Sequence, residues 1–452
     1  RGRARGPYRA TRPGTSPRRW ARRLRGAIVD RRSCAARPGP TPRELVGAVS
    51  DFSTTHARRT LLISLVSVGM GFTVLFPILA PLGREMGLTE FQITFVIGAS
   101  AIVVFLCSPV WGRRSDVWGR KRVLLTGLFG FSAGTVLFNS VLYAGLSGAL
   151  TGTLLFVTLV LARMAHAALM AASMPAANAY MADVTEPRDR ARGMGQAGAA
   201  NNVGSILGPA VAALAFVSLL TPLWVMAAIA FLNGLFVWRF LPEPPRAKAA
   251  AKAPRMKYTD PRILPFVVVG VTMFTGMALV QQTMGFRFQD ALGLDAAATA
   301  QQFGLAMMLS AGCSLFSQGV VVQRLNLAPF ALLRLGLPLL IVAFAMMAVF
   351  ETRLALTAAM MIQGLGMGLA GPAFMAGASL AVGAEEQGAV AGVAGSCGPL
   401  GFAIGPMIGG ALYQFGPSMP YAFAAVVYVI LFASMGILGR RVDARQTEAA
   451  EV

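Results

Sequence analysis

"GFAIGPMIGG", residues 401–410, and "GSILGPAVAA", residues 204–213, share a Gly-x-x-x-Gly-Pro core and stand 197 positions apart. Both stretches are uncharged and apolar, yet glycine and proline weaken the long helix that such a run otherwise favours. The repetition extends well beyond the core. At the same offset Met170 falls on Met367, Pro175 on Pro372, Gly195 on Gly392, Gly204 on Gly401 and Pro209 on Pro406. The chain therefore reads as two copies of one helical unit, each with a close-packing, kinkable helix at the same place.

Composition says where those helices lie. Of 452 residues, 55% are hydrophobic and 13% charged, about half the charge of a soluble protein. The apolar residues come in blocks of roughly twenty, the length needed to cross a hydrocarbon core about 30 Å thick. Twelve spans result, approximately 60–82, 91–111, 123–144, 153–181, 193–218, 223–241, 263–284, 300–322, 331–350, 354–382, 388–415 and 420–439. A polar connection, "PEPPRAKAAAKAPRMKYTDPR", separates six from six. The fold class is thus an all-α polytopic membrane protein of twelve transmembrane helices, two six-helix bundles related by a pseudo-twofold repeat. The expected organisation is a disordered Arg-rich cytoplasmic tail over 1–57, a bundle over 58–241, a cytoplasmic linker over 242–262, a second bundle over 263–440 and a cytoplasmic tail over 441–452.

Positive charge orients the chain. With the N-terminus inside, the inner connections carry 22 basic residues, and the outer ones carry Arg84, Arg287 and Arg353. Both termini are therefore expected in the cytoplasm, in a plasma membrane of the bacterial inner type. Residues 1–43 hold 14 arginines and a single acid, Asp30. That stretch cannot bury a core. Its readings are an anionic-lipid or nucleic-acid binder, a transit segment, or coding sequence upstream of the true start, since no methionine precedes Met70.

One basic residue remains. Arg163 sits about 15 Å into the fourth span, near the midplane. A charge there costs about 2.5–3.5 kcal/mol even on a lenient insertion scale, so it is expected to face a wet cavity. His166 follows at i+3, on the same face. Gln363, at the depth of His166 in the second copy, and Asn201 and Asn202 in the fifth span lie at that level too. Arg163, His166, Asn201, Asn202 and Gln363 form the candidate substrate site, with helix–helix hydrogen bonding as the plainer role for the amides. Phe72, Phe76, Met273, Met277, Met360, Met361 and Met367 supply a soft apolar wall, or simple packing. No Asp or Glu reaches the midplane, so proton coupling falls to His166 or to the inner-edge pair Asp116 and Asp183. Four cysteines without metal or redox spacing and two histidines leave no catalytic constellation, metal site or cofactor site, and an enzyme is not expected.

Between the second and third spans stands "GRRSDVWGRKRVLL", Gly112–Leu125. Here the sequence resembles the major facilitator superfamily, whose pattern in that connection reads G-x-x-x-D-R/K-x-G-R-R/K. Gly112, Asp116, Gly119, Arg120 and Lys121 match, and Val117 departs. The resemblance implies an inner gate in which Asp116 faces the start of helix eleven and Arg120 pairs with an acid below helix four, Asp183. "LARMAHAAL" looks like the family's helix-four R-x-x-Q-G with Arg163 kept and His166 and Ala167 substituted. Helix five of the family's exporters carries G-x-x-x-G-P-x-x-G-G. Gly204, Gly208 and Pro209 match it with Ala212 and Ala213 in place of the last glycines, and Gly401, Gly405, Pro406, Gly409 and Gly410 give the full form in helix eleven. The ensemble looks most like the tetracycline-exporter-like drug:proton antiporters. The expectation is a monomeric alternating-access transporter in the lipid bilayer that exports amphipathic small molecules or drugs against protons and binds no nucleic acid. The alternative is an uptake symporter or facilitator for a small anionic metabolite.

Overall fold

The computed structural model describes residues 42–186, 189–244, 256–325 and 327–450. The expectations for the Arg-rich stretch to residue 41 and for most of the linker lie outside the described residues. The chain divides into a unit ending at Thr55 and a unit His56–Val452, and the second holds the apolar helices.

Every regular element among the described residues is helical. Eleven helices are long and apolar enough to cross a membrane: α1 (Thr55–Glu85), α2 (Glu90–Trp118), α3 (Arg120–Leu146), α4 (Gly152–Asp183), α5 (Arg192–Phe216), α6 (Thr221–Phe240), α7 (Leu264–Leu292), α8 (Ala296–Val322), α9 (Pro329–Val349), α10 (Arg353–Leu380) and α11 (Gln387–Tyr413). The twelfth, α12, starts at Met419 and has a shorter apolar segment, Met419–Met435. The basic face is the one carrying the α2–α3 junction, and the far face carries the α1–α2 and α7–α8 connections.

Two helix ends differ most from the sequence reading. Helix α7 runs eight residues past the expected end at 284, to a left-handed C-terminal glycine, Gly293 at φ 61°. Its polar last turns had read as loop. Arg287 is instead buried, 3% exposed. It donates to the Met347, Ala348 and Phe350 carbonyls at the end of α9 and to Glu351 Oε1 at 3.1 Å, satisfying acceptors that a helix C-terminus leaves open. Helix α2 likewise continues to Trp118, so Asp116 is helical and Gly119 alone separates α2 from α3. Gly119 has φ 102°, and the Glu243 carboxylate occupies the place a Cβ would take.

The glycine-proline cores pack within each half. In α5, Gly204 lies on the Val66 carbonyl and Gly208 on Thr73 and the Met70 carbonyl of α1. In α11, Gly401, Gly405 and Gly409 lie on Phe274–Thr283 of α7. These contacts leave no room for a Cβ, and the prolines sit in the same tight segments. After Pro209, α5 tightens into a 3₁₀ turn over Ala212–Phe216, while α11 stays α-helical through Pro399 and Pro406. Nearer the start of both helices, towards the basic face, the glycines change role. Gly195, Gly198, Gly388, Gly392 and Gly395 meet nothing where a side chain would project.

That contrast makes a prediction. Gly204→Leu is expected to eliminate monodisperse protein in detergent size-exclusion chromatography, because overpacking costs about 1–3 kcal/mol even where neighbours can yield and here the neighbour is backbone. Gly195→Leu, in open space, is expected to elute as the unaltered chain does.

Among the described residues the hydrogen bonds and the shared core that join the halves lie towards the far face. Towards the far face, an apolar core mixes residues of both, with Phe286, Ala300 and Tyr413 among side chains of α1–α6. Towards the basic face, the N-terminal half has a core built wholly of its own residues, from Ala57 to Leu241.

Candidate functional site: a far-face clasp, a basic-face cluster and a buried cation

Arg84, in the last turn of α1, joins the halves by hydrogen bonds and an ion pair. It donates to Asp290 of α7 through Nη1 and Nη2 at 2.5 and 3.0 Å, and to Gln289 at 3.3 Å. On its own side it is held by Glu90, at 2.8 and 3.2 Å. The guanidinium lies 4.9 Å from the Phe286 ring centroid and 5.8 Å from that of Tyr413, and the Tyr413 hydroxyl donates to Asp290 Oδ2 at 2.7 Å. Glycine contacts continue the seam. Gly98 of α2 abuts Ala403 and Met407 of α11, Gly410 abuts Thr94 and Glu90, Gly285 abuts Ala80, and Gly304 of α8 abuts Pro209 and Ala212 of α5. Phe76 stacks on Phe402 at 6.2 Å.

The clasp was missed from sequence because Arg84 read as a topology charge. A signal existed: Arg84 and Asp290 occupy the closing turn of the first helix in each half, with opposite charge. Charge-assisted hydrogen bonds contribute about 1.5–3 kcal/mol, less where solvent screens them, and these side chains are 22% and 33% exposed. Arg84→Gln is therefore expected to favour far-face opening about 5- to 30-fold, for about 1–2 kcal/mol. The measurement is labelling of an Ala80→Cys reporter, in a background lacking native cysteines, by a membrane-impermeant thiol reagent. An unchanged labelling rate would remove the clasp's gating role.

At the basic face Arg120 joins two acids. Its Nη1 donates to Asp116 Oδ1 at 2.5 Å and to Ser115 Oγ at 2.8 Å, and its Nε donates to Asp183 Oδ2 at 2.8 Å. The Arg120–Asp183 pairing is the one the family resemblance implied. Asp116 differs from that expectation here: its side chain is 62% exposed and Arg120 is its ion-pair partner, while the start of α11 carries a separate pair, Arg262 with Glu386 at 2.7 and 2.9 Å. Lys121 Nζ donates to the Trp238 carbonyl at 2.8 Å, and Tyr180 Oη to the Pro242 carbonyl at 2.7 Å. Together they tie the α2–α3 junction and α4 to the end of α6. Gly112 lies beside Pro175 of α4.

Arg163 and His166 stand together between α4 and α3. Both are buried, at 9% and 3% exposure. Arg163 Nη1 donates to His166 Nδ1 at 2.7 Å, and its Cζ lies 5.6 Å from the Phe138 centroid. A guanidinium has no acceptor, so Nδ1 accepts and the ring proton sits on Nε2, which has no protein partner. The ring lies against Gly134 and edge-on to Phe131, at 4.9 Å. Phe131 also lines a small cavity with Ser67, Phe72, Met170 and Ser173, inside the N-terminal bundle.

The other candidates stand apart. Asn201 lies where α5 crosses Gly69 of α1, Asn202 is exposed, and Gln363 is buried in α10, next to the Gly364 contact with Ser310 of α8. No hydrogen bond among the described residues links these amides to Arg163 or His166. Of the expected wall, Met273 and Met360 are in the core of the C-terminal half, at 0% and 2% exposure.

The model of the Major Facilitator Superfamily matches residues 61–399 and 330–451. The chain belongs to the Major Facilitator Superfamily. Curated relatives of this chain include multidrug resistance protein 1 of Bacillus subtilis, 25% identical over 82% of this chain and 93% of its own length. The class C tetracycline resistance protein of Escherichia coli is 26% identical over 82% and 92%. Among solved structures, a bacterial homologue of the human lysosomal transporter Spinster, inward-facing and occupied, superposes with TM-score 0.66 at 17% identity, covering 86% of this chain and 97% of that one. The human organic anion transporter TETRAN superposes with TM-score 0.61 at 18% identity, covering 84% and 99%. This chain is a multi-pass membrane transporter with drug-resistance relatives.

Proposed function

We propose that the chain is a proton-coupled exporter of amphipathic small molecules that works by alternating access, with its basic face in the cytoplasm. One observation carries the reading: the halves are fastened at the far face and carry open small-residue surfaces on α5 and α11 towards the basic face. That is the state in which a cytoplasmic compound could enter. Arg163, His166, Asn201, Asn202 and Gln363 are the proposed substrate-binding residues, and Asp116, Arg120 and Asp183 the proposed inner gate. Efflux is supported by the relatives' names, multidrug and tetracycline resistance. Proton coupling through His166 requires the ring to release Arg163, because Nδ1 is occupied by that hydrogen bond and Nε2 already carries its proton. A proton moved down an assumed gradient of ~150 mV supplies about 3.5 kcal/mol, enough for roughly a 300-fold concentration ratio.

The test is purified protein in proteoliposomes with an internal pH dye, challenged with a panel of lipophilic cations, zwitterions and organic anions. Substrate-induced proton movement opposite to substrate flux supports antiport. A second reading, uptake of a small organic anion, is favoured by Arg163, a buried cation with no carboxylate bonded to it among the described residues. It requires anions alone to be active and to move in the same direction as protons.

A further inference from the structure

The far-face seam between α2 and α11 sets an antiparallel register. Gly98 sits against Ala403, and Gly410 against Thr94 and the Glu90 carbonyl. Both helices rise about 1.5 Å per residue, so each step along α2 towards the basic face is matched by an equal step back along α11. With Met407 also on Gly98, these contacts place Pro109 opposite residues 391–396, the turn of Gly392, and Asp116 opposite residues 384–389, the turn of Glu385. Asp116 is eighteen residues beyond Gly98, about five helical turns at 3.6 residues per turn, so it lies on the same stripe of α2. In this structure Pro109, Gly392, Asp116 and Glu385 are all exposed.

Closing the basic face on that register brings the Asp116 carboxylate to a turn that already holds Glu385 and Glu386. Like charges so placed repel. The cation standing there is Arg262. It binds Glu386 through both Nη atoms, at 2.7 and 2.9 Å, and Asp260 at 2.9 and 3.2 Å, and its side chain is 43% exposed. The same guanidinium holds Glu386 and Asp260 below the usual carboxylate range, so both partners stay ionised and keep it in place.

We propose that Arg262 is the docking charge of the C-terminal half: when the basic face closes, Asp116 lands on the guanidinium that Glu386 and Asp260 present, and Arg262 separates it from Glu385 and Glu386. Arg262 is a positioning residue of the transport cycle and touches no substrate. The inference rests on the alternating-access reading but not on the substrate or on the direction of transport.

The test is a cross-linking cycle that needs no known substrate. Pro109→Cys and Gly392→Cys are introduced together in a background lacking native cysteines, and closure is read as the rate of bridging by a short bifunctional thiol reagent. Bridging is expected in that pair. Arg262→Gln is expected to slow it about tenfold or more, Arg262→Lys to keep most of it, and Asp116→Asn added to Arg262→Gln to cause no further loss, because the unscreened repulsion is gone. Two results overturn the proposal: no bridging in the parent pair, which removes the register, or losses from Asp116→Asn and Arg262→Gln that multiply, which makes Arg262 a local brace of α11. A protein that exports in the wrong direction, or carries only anions, would sink the export reading and leave this cycle's outcome intact.

Discussion

Arg163→Met is expected to lower transport at least about 100-fold while the protein becomes as stable as the unaltered chain, or more so. Arg163 is 9% exposed, and a cation at that depth costs about 2.5–3.5 kcal/mol. What offsets the cost is modest. There is one hydrogen bond to a neutral imidazole and a ring contact at 5.6 Å, of a kind contributing about 0.5–2 kcal/mol. The guanidinium Nε has no protein partner. Replacing a buried charge by an apolar side chain of similar volume is commonly neutral or stabilising, and methionine fills the same irregular space. A residue kept only for packing would therefore be improved by the change at no functional expense. A residue kept for a ligand would show stability and activity moving in opposite directions. The measurements are initial transport rates in proteoliposomes and the apparent melting temperature of the detergent-solubilised protein. Transport within twofold of the unaltered chain would remove Arg163 from the site, and His166 with it.

The architecture was legible because it rests on patterns that survive without neighbours. Apolar run length and the Gly-x-x-x-Gly-Pro duplication are both one-dimensional signals, and they yielded twelve helices in two matched sets. The partner of each glycine was not legible. In sequence Gly204 and Gly401 mark close packing without saying onto what, and each is pressed onto the first helix of its own half. Across the seam the glycine contacts fall to Gly98, Gly285 and Gly304, which no motif marks, and to Gly410, the last glycine of the helix-eleven motif. Helix rotation is the missing variable. A turn of about 100° per residue decides whether a midspan amide faces a neighbouring helix or the space between bundles, and that is why Asn201 and Gln363 stand on other helix contacts and Asn202 is exposed. The far-face clasp escaped for a different reason. Arg84 and Asp290 lie 206 positions apart, a longer offset than the 197 that aligns helices four to six with ten to twelve, so the comparison that found the cores does not align them.

Asp116→Asn is expected to reduce transport about 10- to 150-fold with membrane insertion and folding intact. The substitution keeps volume and leaves Arg120 its better-shielded tether to the fold, since Asp183 still accepts from Nε at 2.8 Å and Ser115 from Nη1. Local stability should hardly change, because Asp116 is largely solvent-exposed in this state and exposed pairs contribute about 0–1 kcal/mol. The cost should fall on the other state. There the carboxylate leaves water for the seam between α2 and α11, and a charge-assisted hydrogen bond in such a place is worth about 1.5–3 kcal/mol, which is the stated range in population. Asp183→Asn is the contrasting case. It deprives the half-buried Arg120 of its better-shielded acid in both states, so it is expected to lower stability and transport together. Near-normal flux in Asp116→Asn, measured with confirmed surface expression, would place the acid outside the gate. A loss accompanied by poor folding would make it a brace of the α2–α3 junction, leaving closure of the basic face to apolar contact between Pro109 and Gly392.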